Sequence, residues 1–213
     1  MAKKLNELRN AVITVGEGRG FIVSAPSDPW ARRYVITAAH CLPNLPPPFT
    51  RSRIEDRTYE NLLGMLGETP HIWTECIFVD PVSDFAVLAG PDDQVLYDEH
   101  GAYLELIETG AAFQAGTPPA EKFSGYVLTL NNEWRQCRLS FNGSLCVENE
   151  GSPEIQDGMS GSPILDEAGR TIGVIAIGSF ESGKSIDAEG QPCLFEDLPT
   201  RLARLFGINN SAA

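Results

Sequence analysis

Gly158-Met159-Ser160-Gly161-Ser162-Pro163, followed by the apolar pair Ile164-Leu165, is the stretch on which the reading of this chain turns. It sets a serine among glycines in a tight turn, where a small hydroxyl can stand exposed while flanking backbone N–H groups point at whatever its oxygen attacks. Such a turn suits acyl transfer. A serine hydroxyl is a poor nucleophile until a base takes its proton, so the turn calls for a histidine and, to orient it, a carboxylate. Alone, the same residues read equally well as a Gly/Ser turn joining two strands. The rest of the chain has to decide.

Composition narrows the choice. At 213 residues, 42% hydrophobic and 21% charged, the chain fits a globular protein and not a disordered one. A formal charge of −13 opposes binding to nucleic acid or to an anionic membrane, both of which need basic patches. Met1-Ala2-Lys3-Lys4 begins like a leader, but Asn6, Glu7, Arg9 and Asn10 interrupt the apolar run that would follow, so an unprocessed cytoplasmic protein is expected. No apolar run approaches the roughly 18 residues of a membrane helix. The five cysteines, Cys41, Cys76, Cys137, Cys146 and Cys193, are odd in number and contain no C-x-x-C. Reduced thiols are expected, with no metal and no cofactor. An Asn142-Gly143 turn would set Cys146 opposite Leu139, a register that does not favour a bridge to Cys137.

Short β-branched runs recur along the chain. Residues 11–16 and 20–25 read as a hairpin across a glycine-rich turn, and residues 33–37 as a third strand that ends in Ala38-Ala39-His40-Cys41. Residues 43–49 hold four prolines and suit an extended segment. Residues 52–66 carry Leu62, Leu63, Met65 and Leu66 and read as a short helix ended by Gly67. Residues 71–79 form the next strand, and Asp80-Pro81-Val82-Ser83 turns into Asp84-Phe85-Ala86-Val87-Leu88, an acid at the mouth of a buried run.

Residues 110–122 connect two halves, residues 1–112 and 113–213. Beyond them, residues 125–130, 134–141, 144–147, 162–165 and 171–177 read as strands at short spacing, which points to a closed barrel or sandwich. Leu198, Leu202 and Leu205 mark an amphipathic helix that should dock on the second half, capped by Gly207.

The chemical candidates therefore come in the order His40, Asp84, Ser160. An α/β-hydrolase presents serine, then acid, then histidine, on an elbow of the form Gly-x-Ser-x-Gly; here Ser162 replaces the second glycine and no histidine follows Ser160. His71 and His100 lack a comparable setting and read as ordinary surface or hydrogen-bonded residues. Asp80 is the rival acid, better suited to the Asp-Pro turn.

Residues 36–41 (Ile-Thr-Ala-Ala-His-Cys), 83–88 (Ser-Asp-Phe-Ala-Val-Leu) and 158–163 resemble, in type and order, the three motifs of the trypsin/chymotrypsin-like serine proteases. The resemblance extends from about residue 11 to the C-terminal helix. It implies an all-β fold of two antiparallel β-barrels with a short C-terminal helix, and a site in the crevice between them. It further implies a serine endopeptidase acting on a protein or peptide. Ser160 would be its nucleophile, His40 its general base and acid, and Asp84 the orienting carboxylate, with an oxyanion hole from the N–H groups of Gly158 and Ser160.

By the same resemblance, Glu154, Ile177, Gly178 and Gly190 belong to the substrate pocket, Gly178 leaving its entrance open. Glu148, Glu150, Glu154 and Asp157 make the approach acidic or are simply a solvated face.

Departures from the pattern carry expectations of their own. Met159 stands where many secreted members have an aspartate that pairs with a new N-terminus. Such a switch is therefore absent, and control by a regulatory protein partner is open. Ala176 stands where a serine often supports the catalytic acid, and Cys41 has no nearby cysteine to bridge. Met159 and Ala176 also admit a competing reading, a protease-like binding module with a decayed site.

Overall fold

The computed structural model describes residues 2–30, 32–47, 53–108, 110–141, 145–148, 150–176 and 200–208. Helix α1 (Ala2–Arg9) leads into β1 (Val12–Val15), β2 (Gly18–Ser24) and β3 (Arg33–Thr37), then β4 (Thr58–Met65), β5 (Ile72–Asp80) and β6 (Phe85–Ala89). These six strands close an antiparallel barrel in the order β1-β2-β3-β6-β5-β4. β1 and β2 meet through the two residues Gly16 and Glu17, Gly16 in the left-handed region at φ 55°. Closure removes the sheet edges and turns apolar side chains inward, where Ile13, Phe21, Ile36, Leu63, Phe85 and Leu88 are fully buried.

Helix α2 (Tyr97–Glu108) follows the barrel and packs on β5 and β3. Arg33 closes its C-terminal end by donating to the carbonyls of Ile107 (2.7 Å) and Gly110 (2.7 Å), groups that have no partner within the helix. The second half is a five-stranded antiparallel sheet, β11-β10-β7-β8-β9, built from β7 (Lys122–Leu128), β8 (Trp134–Phe141), β9 (Leu145–Val147), β10 (Pro163–Asp166) and β11 (Thr171–Val174). The architecture is the expected all-β class, with helix α3 (Thr200–Leu205) near the C-terminus.

Three local expectations are corrected. Residues 58–65 form a strand, not a helix: β1 and β5 flank β4 with ladder hydrogen bonds, and a bulge centred on Asn61 (φ 52°) lets the adjacent Leu62 and Leu63 both face inward. Tertiary pairing outweighs the helical spacing of the leucines. Helix α3 docks on the first barrel, where Phe206 meets Tyr34 edge to face at 6.0 Å and Leu205 accepts from the Ser27 N–H. In the third case, Phe141 pairs with Leu145, so three residues join β8 to β9 and Cys146 lies opposite Ser140 and not Leu139.

Candidate active site

The pairing of β3 with β6 builds one side of the site. Its register sets Thr37 opposite Ala86, so the chain leaving β3 and the chain entering β6 run past each other with His40 and Asp84 adjacent. Residues Ala39–Cys41 turn as a single 3-10 turn there. The His40 backbone N–H donates to Asp84 Oδ1 at 2.9 Å, and His40 Nδ1 lies 2.6 Å from Asp84 Oδ2. With the carboxylate ionised, the proton of the neutral imidazole sits on Nδ1 and leaves the Nε2 lone pair free to accept another. Asp84 adopts φ 50°, a left-handed conformation that aspartate tolerates better than most side chains.

The neighbouring acid has another task. Asp80 accepts from the N–H groups of Val82 (2.9 Å) and Ser83 (3.3 Å) and from the Ser83 hydroxyl (2.9 Å). Burial works to raise its carboxyl, but the Ser83 hydroxyl and those N–H groups outweigh it and hold the group below its ordinary value. His71 and His100 are hydrogen-bonded to the carbonyls of Thr69 and Pro91.

The turn at residues 158–163 builds the other side. Gly158 (φ 86°) and Gly161 (φ 80°) both take left-handed conformations, which bend the chain sharply on each side of Ser160. The N–H groups of Met159, Gly161 and Ser162 are taken by the carbonyls of Gln156, Ile175 and Met159. Among the described residues, no acceptor takes those of Gly158 or Ser160. Two donors on one turn, flanking the serine, are available to an oxyanion. Met159 does not reach for an ion pair: its side chain is 1% exposed and joins Val127, Leu139, Leu145 and Ile172 in the core of the second sheet.

Main-chain contacts bring the two sides together. Ser160 O accepts the Arg19 N–H at 2.8 Å, and Arg19 O accepts the buried Thr37 hydroxyl at 2.7 Å, three residues before His40. Gly161 packs so closely on Arg19 O and Thr37 Oγ1 that a side chain has no room. At Gly18, a Cβ would stand 2.6 Å from Cys41 Sγ and 3.0 Å from Ser160 O, so the residue after His40 and the carbonyl of Ser160 face one point. Ser160 itself is 7% exposed. Among the described residues no hydrogen bond joins its Oγ to His40.

Of the expected pocket residues, Glu154 lines an open cavity of about 560 Å³ with Gln156, Met159, Thr129, Leu130 and Arg135, between the serine turn and the β7–β8 hairpin. Ile177, Gly178 and Gly190 lie outside the described residues. Among the described residues, no group of three or more His, Cys, Asp or Glu is placed to hold a metal ion. Sequence reading missed Arg19 and Thr37. For Arg19 the only signal was a charge set between two glycines at the head of the apolar run Phe21-Ile22-Val23.

No protein-family model matches the sequence, and no curated protein matches it. Among solved structures, the chain is similar to the human pathogenic astrovirus serine protease, with 18% identity and a TM-score of 0.44 over 78% of this chain and 82% of that one. It is similar to the Rv3671c protease in its inactive form, with 16% identity and a TM-score of 0.46 over 90% and 94% of the two chains. The third is the serine endoprotease from Yersinia pestis, with 15% identity and a TM-score of 0.47, where 87% of this chain covers 60% of that protein.

Proposed function

We propose that the chain is a serine endopeptidase that hydrolyses peptide bonds of a protein substrate through an acyl-enzyme. The observation that carries this reading is the two-point hold of Asp84 on His40, at 2.9 Å and 2.6 Å, in a chain where the N–H groups of Gly158 and Ser160 have no acceptor among the described residues. His40 Nε2 takes the Ser160 proton as Oγ attacks the scissile carbonyl, and the N–H groups of Gly158 and Ser160 stabilise the oxyanion. His40 then protonates the leaving amine as the C–N bond breaks. In the second half, water attacks the ester as its proton passes to His40, and His40 returns that proton to Ser160 Oγ as the ester C–O bond breaks and the acid product leaves. The acids around Glu154 disfavour acidic substrates.

A second reading, a protease-like module without turnover, is favoured by Ala176, which has no hydroxyl to support Asp84, and by the lack of a Ser160–His40 hydrogen bond. Catalytic hydrogen bonds often tighten only once substrate is bound, so the first reading stands. A fluorophosphonate probe decides between them. Labelling of the wild type but not of Ser160→Ala supports the enzyme, and no labelling of the folded protein supports the module.

No helix among the described residues is long and apolar enough to cross a membrane. We place the protein in the cytoplasm, a setting supported by the free thiols of Cys41, Cys76 and Cys137.

A further inference from the structure

Arg19 is a buried cation that forms no ion pair among the described residues. Its residue is 6% exposed, and among the described residues its guanidinium meets neutral oxygens of the β7–β8 turn. Nη1 donates to the carbonyls of Leu128 (3.1 Å) and Thr129 (3.1 Å), and Nη2 to those of Leu130 (3.4 Å) and to Asn132 Oδ1 (3.3 Å). Burial pushes the guanidinium below its ordinary value. An apolar residue of similar size would join the two halves without desolvating a charge, so adhesion alone does not account for this side chain.

The same residue reaches the proposed site along a second route. Its N–H holds the carbonyl of Ser160, and its carbonyl takes the hydroxyl of Thr37 on the strand that delivers His40. The turn gripped by the guanidinium in turn backs the serine loop, since a Cβ on Gly158 would touch Leu130 Cδ2 at 3.4 Å. Arg19 therefore bears on both residues whose N–H groups are proposed to hold the oxyanion, Ser160 directly and Gly158 through Leu130. Lysine cannot replace this: a single ammonium lacks the planar fork that spans four oxygens.

We propose that Arg19 is a positioning residue that holds the 158–162 turn in register with His40, its main chain gripping Ser160 and its guanidinium gripping the 128–132 turn behind Gly158. The inference rests on the serine-endopeptidase reading for its effect on rate, but not for its effect on the turn.

The test compares wild type with Arg19→Met, Arg19→Lys and Asn132→Gly. The last removes one acceptor at a position whose φ of 59° suits glycine. Two quantities are read: the rate of Ser160 acylation by a fluorophosphonate, and amide hydrogen exchange in residues 156–162 with helix α2 as the internal control. Arg19→Met should slow acylation on the order of 10²-fold, the effect of a misplacement near 1 Å, and raise exchange in 156–162 but not in α2. With a peptide substrate, kcat should fall while KM holds. Arg19→Lys should recover only part of the rate, and Asn132→Gly should lose several-fold.

Wild-type acylation and exchange in Arg19→Met overturn the proposal. So does a rise in exchange that is equal in both segments, which marks plain loss of stability. If Arg19→Met does not fold, Asn132→Gly decides, and an unchanged rate and exchange there overturn it. If the wild type itself is not acylated, the endopeptidase reading fails and the exchange measurement alone judges the clamp.

Discussion

Asp84 grips His40 with both carboxylate oxygens, one on the backbone N–H at 2.9 Å and one at 2.6 Å from Nδ1. The imidazole is thereby fixed in position by its own main chain and in tautomer by its ring contact. An amide at the same place keeps the shape and loses the preference.

Asp84→Asn is accordingly expected to keep the fold and lower kcat/KM by about 10⁴-fold, the size known for a triad aspartate. Asp80→Asn should leave activity nearly unchanged, because Asp80 is engaged with Val82 and Ser83. The Asp84→Asn loss should shrink as pH rises and hydroxide replaces the missing base. Profiles of kcat/KM against pH for both variants check this, and the larger loss in Asp80→Asn would show that the roles are reversed.

Ser160→Ala and His40→Ala are each expected to remove most turnover, about 10⁶-fold if the residues act as one unit. The double variant should then lose little more than either single one. Rates that fall additively would contradict a coupled pair.

Met159 is packed into the second core, where its Sδ accepts the Gln156 N–H at 3.4 Å, so Met159→Asp would bury a carboxylate among apolar side chains. A cost of roughly 3 kcal/mol or more is expected, or a protonated aspartate at neutral pH. Urea unfolding at neutral and at mildly acidic pH measures it, the deficit narrowing in acid. A variant as stable as wild type would mean that the loop can turn this side chain outward.

Tyr34 donates to Asp28 Oδ2 at 2.9 Å, beside the Arg32 Nε contact at 2.8 Å on the same oxygen. Burial first, and then the hydrogen bond to Asp28, push the phenol up to about 12. A folded value above the unfolded one, near 10, means that its stabilisation is complete below about pH 10 and is lost as pH climbs through about 12. The stability difference between wild type and Tyr34→Phe should therefore stay level from about pH 7 to 9 and shrink above about pH 10. Denaturant melts across that range test it; a difference that stays constant removes the hydroxyl from the linkage.

What the sequence determined by itself is mostly local. A histidine closing one β-branched run, an aspartate opening another and a serine among glycines in a sharp turn are each legible because strand propensity and turn chemistry act over a few residues. The all-β class was legible for the same reason. Only the tertiary structure decided the rest. The β3–β6 register brings His40 to Asp84, and a bulge with neighbours on both sides makes a strand of the leucine-rich 58–65 segment. Helix α3 lies on the first barrel because Tyr34 and Pro26 receive Phe206 and Gly207 there. Arg19 looked like part of a surface turn until the second sheet surrounded it with carbonyls, since burial and hydrogen-bond partners far along the chain exist only once the chain has folded.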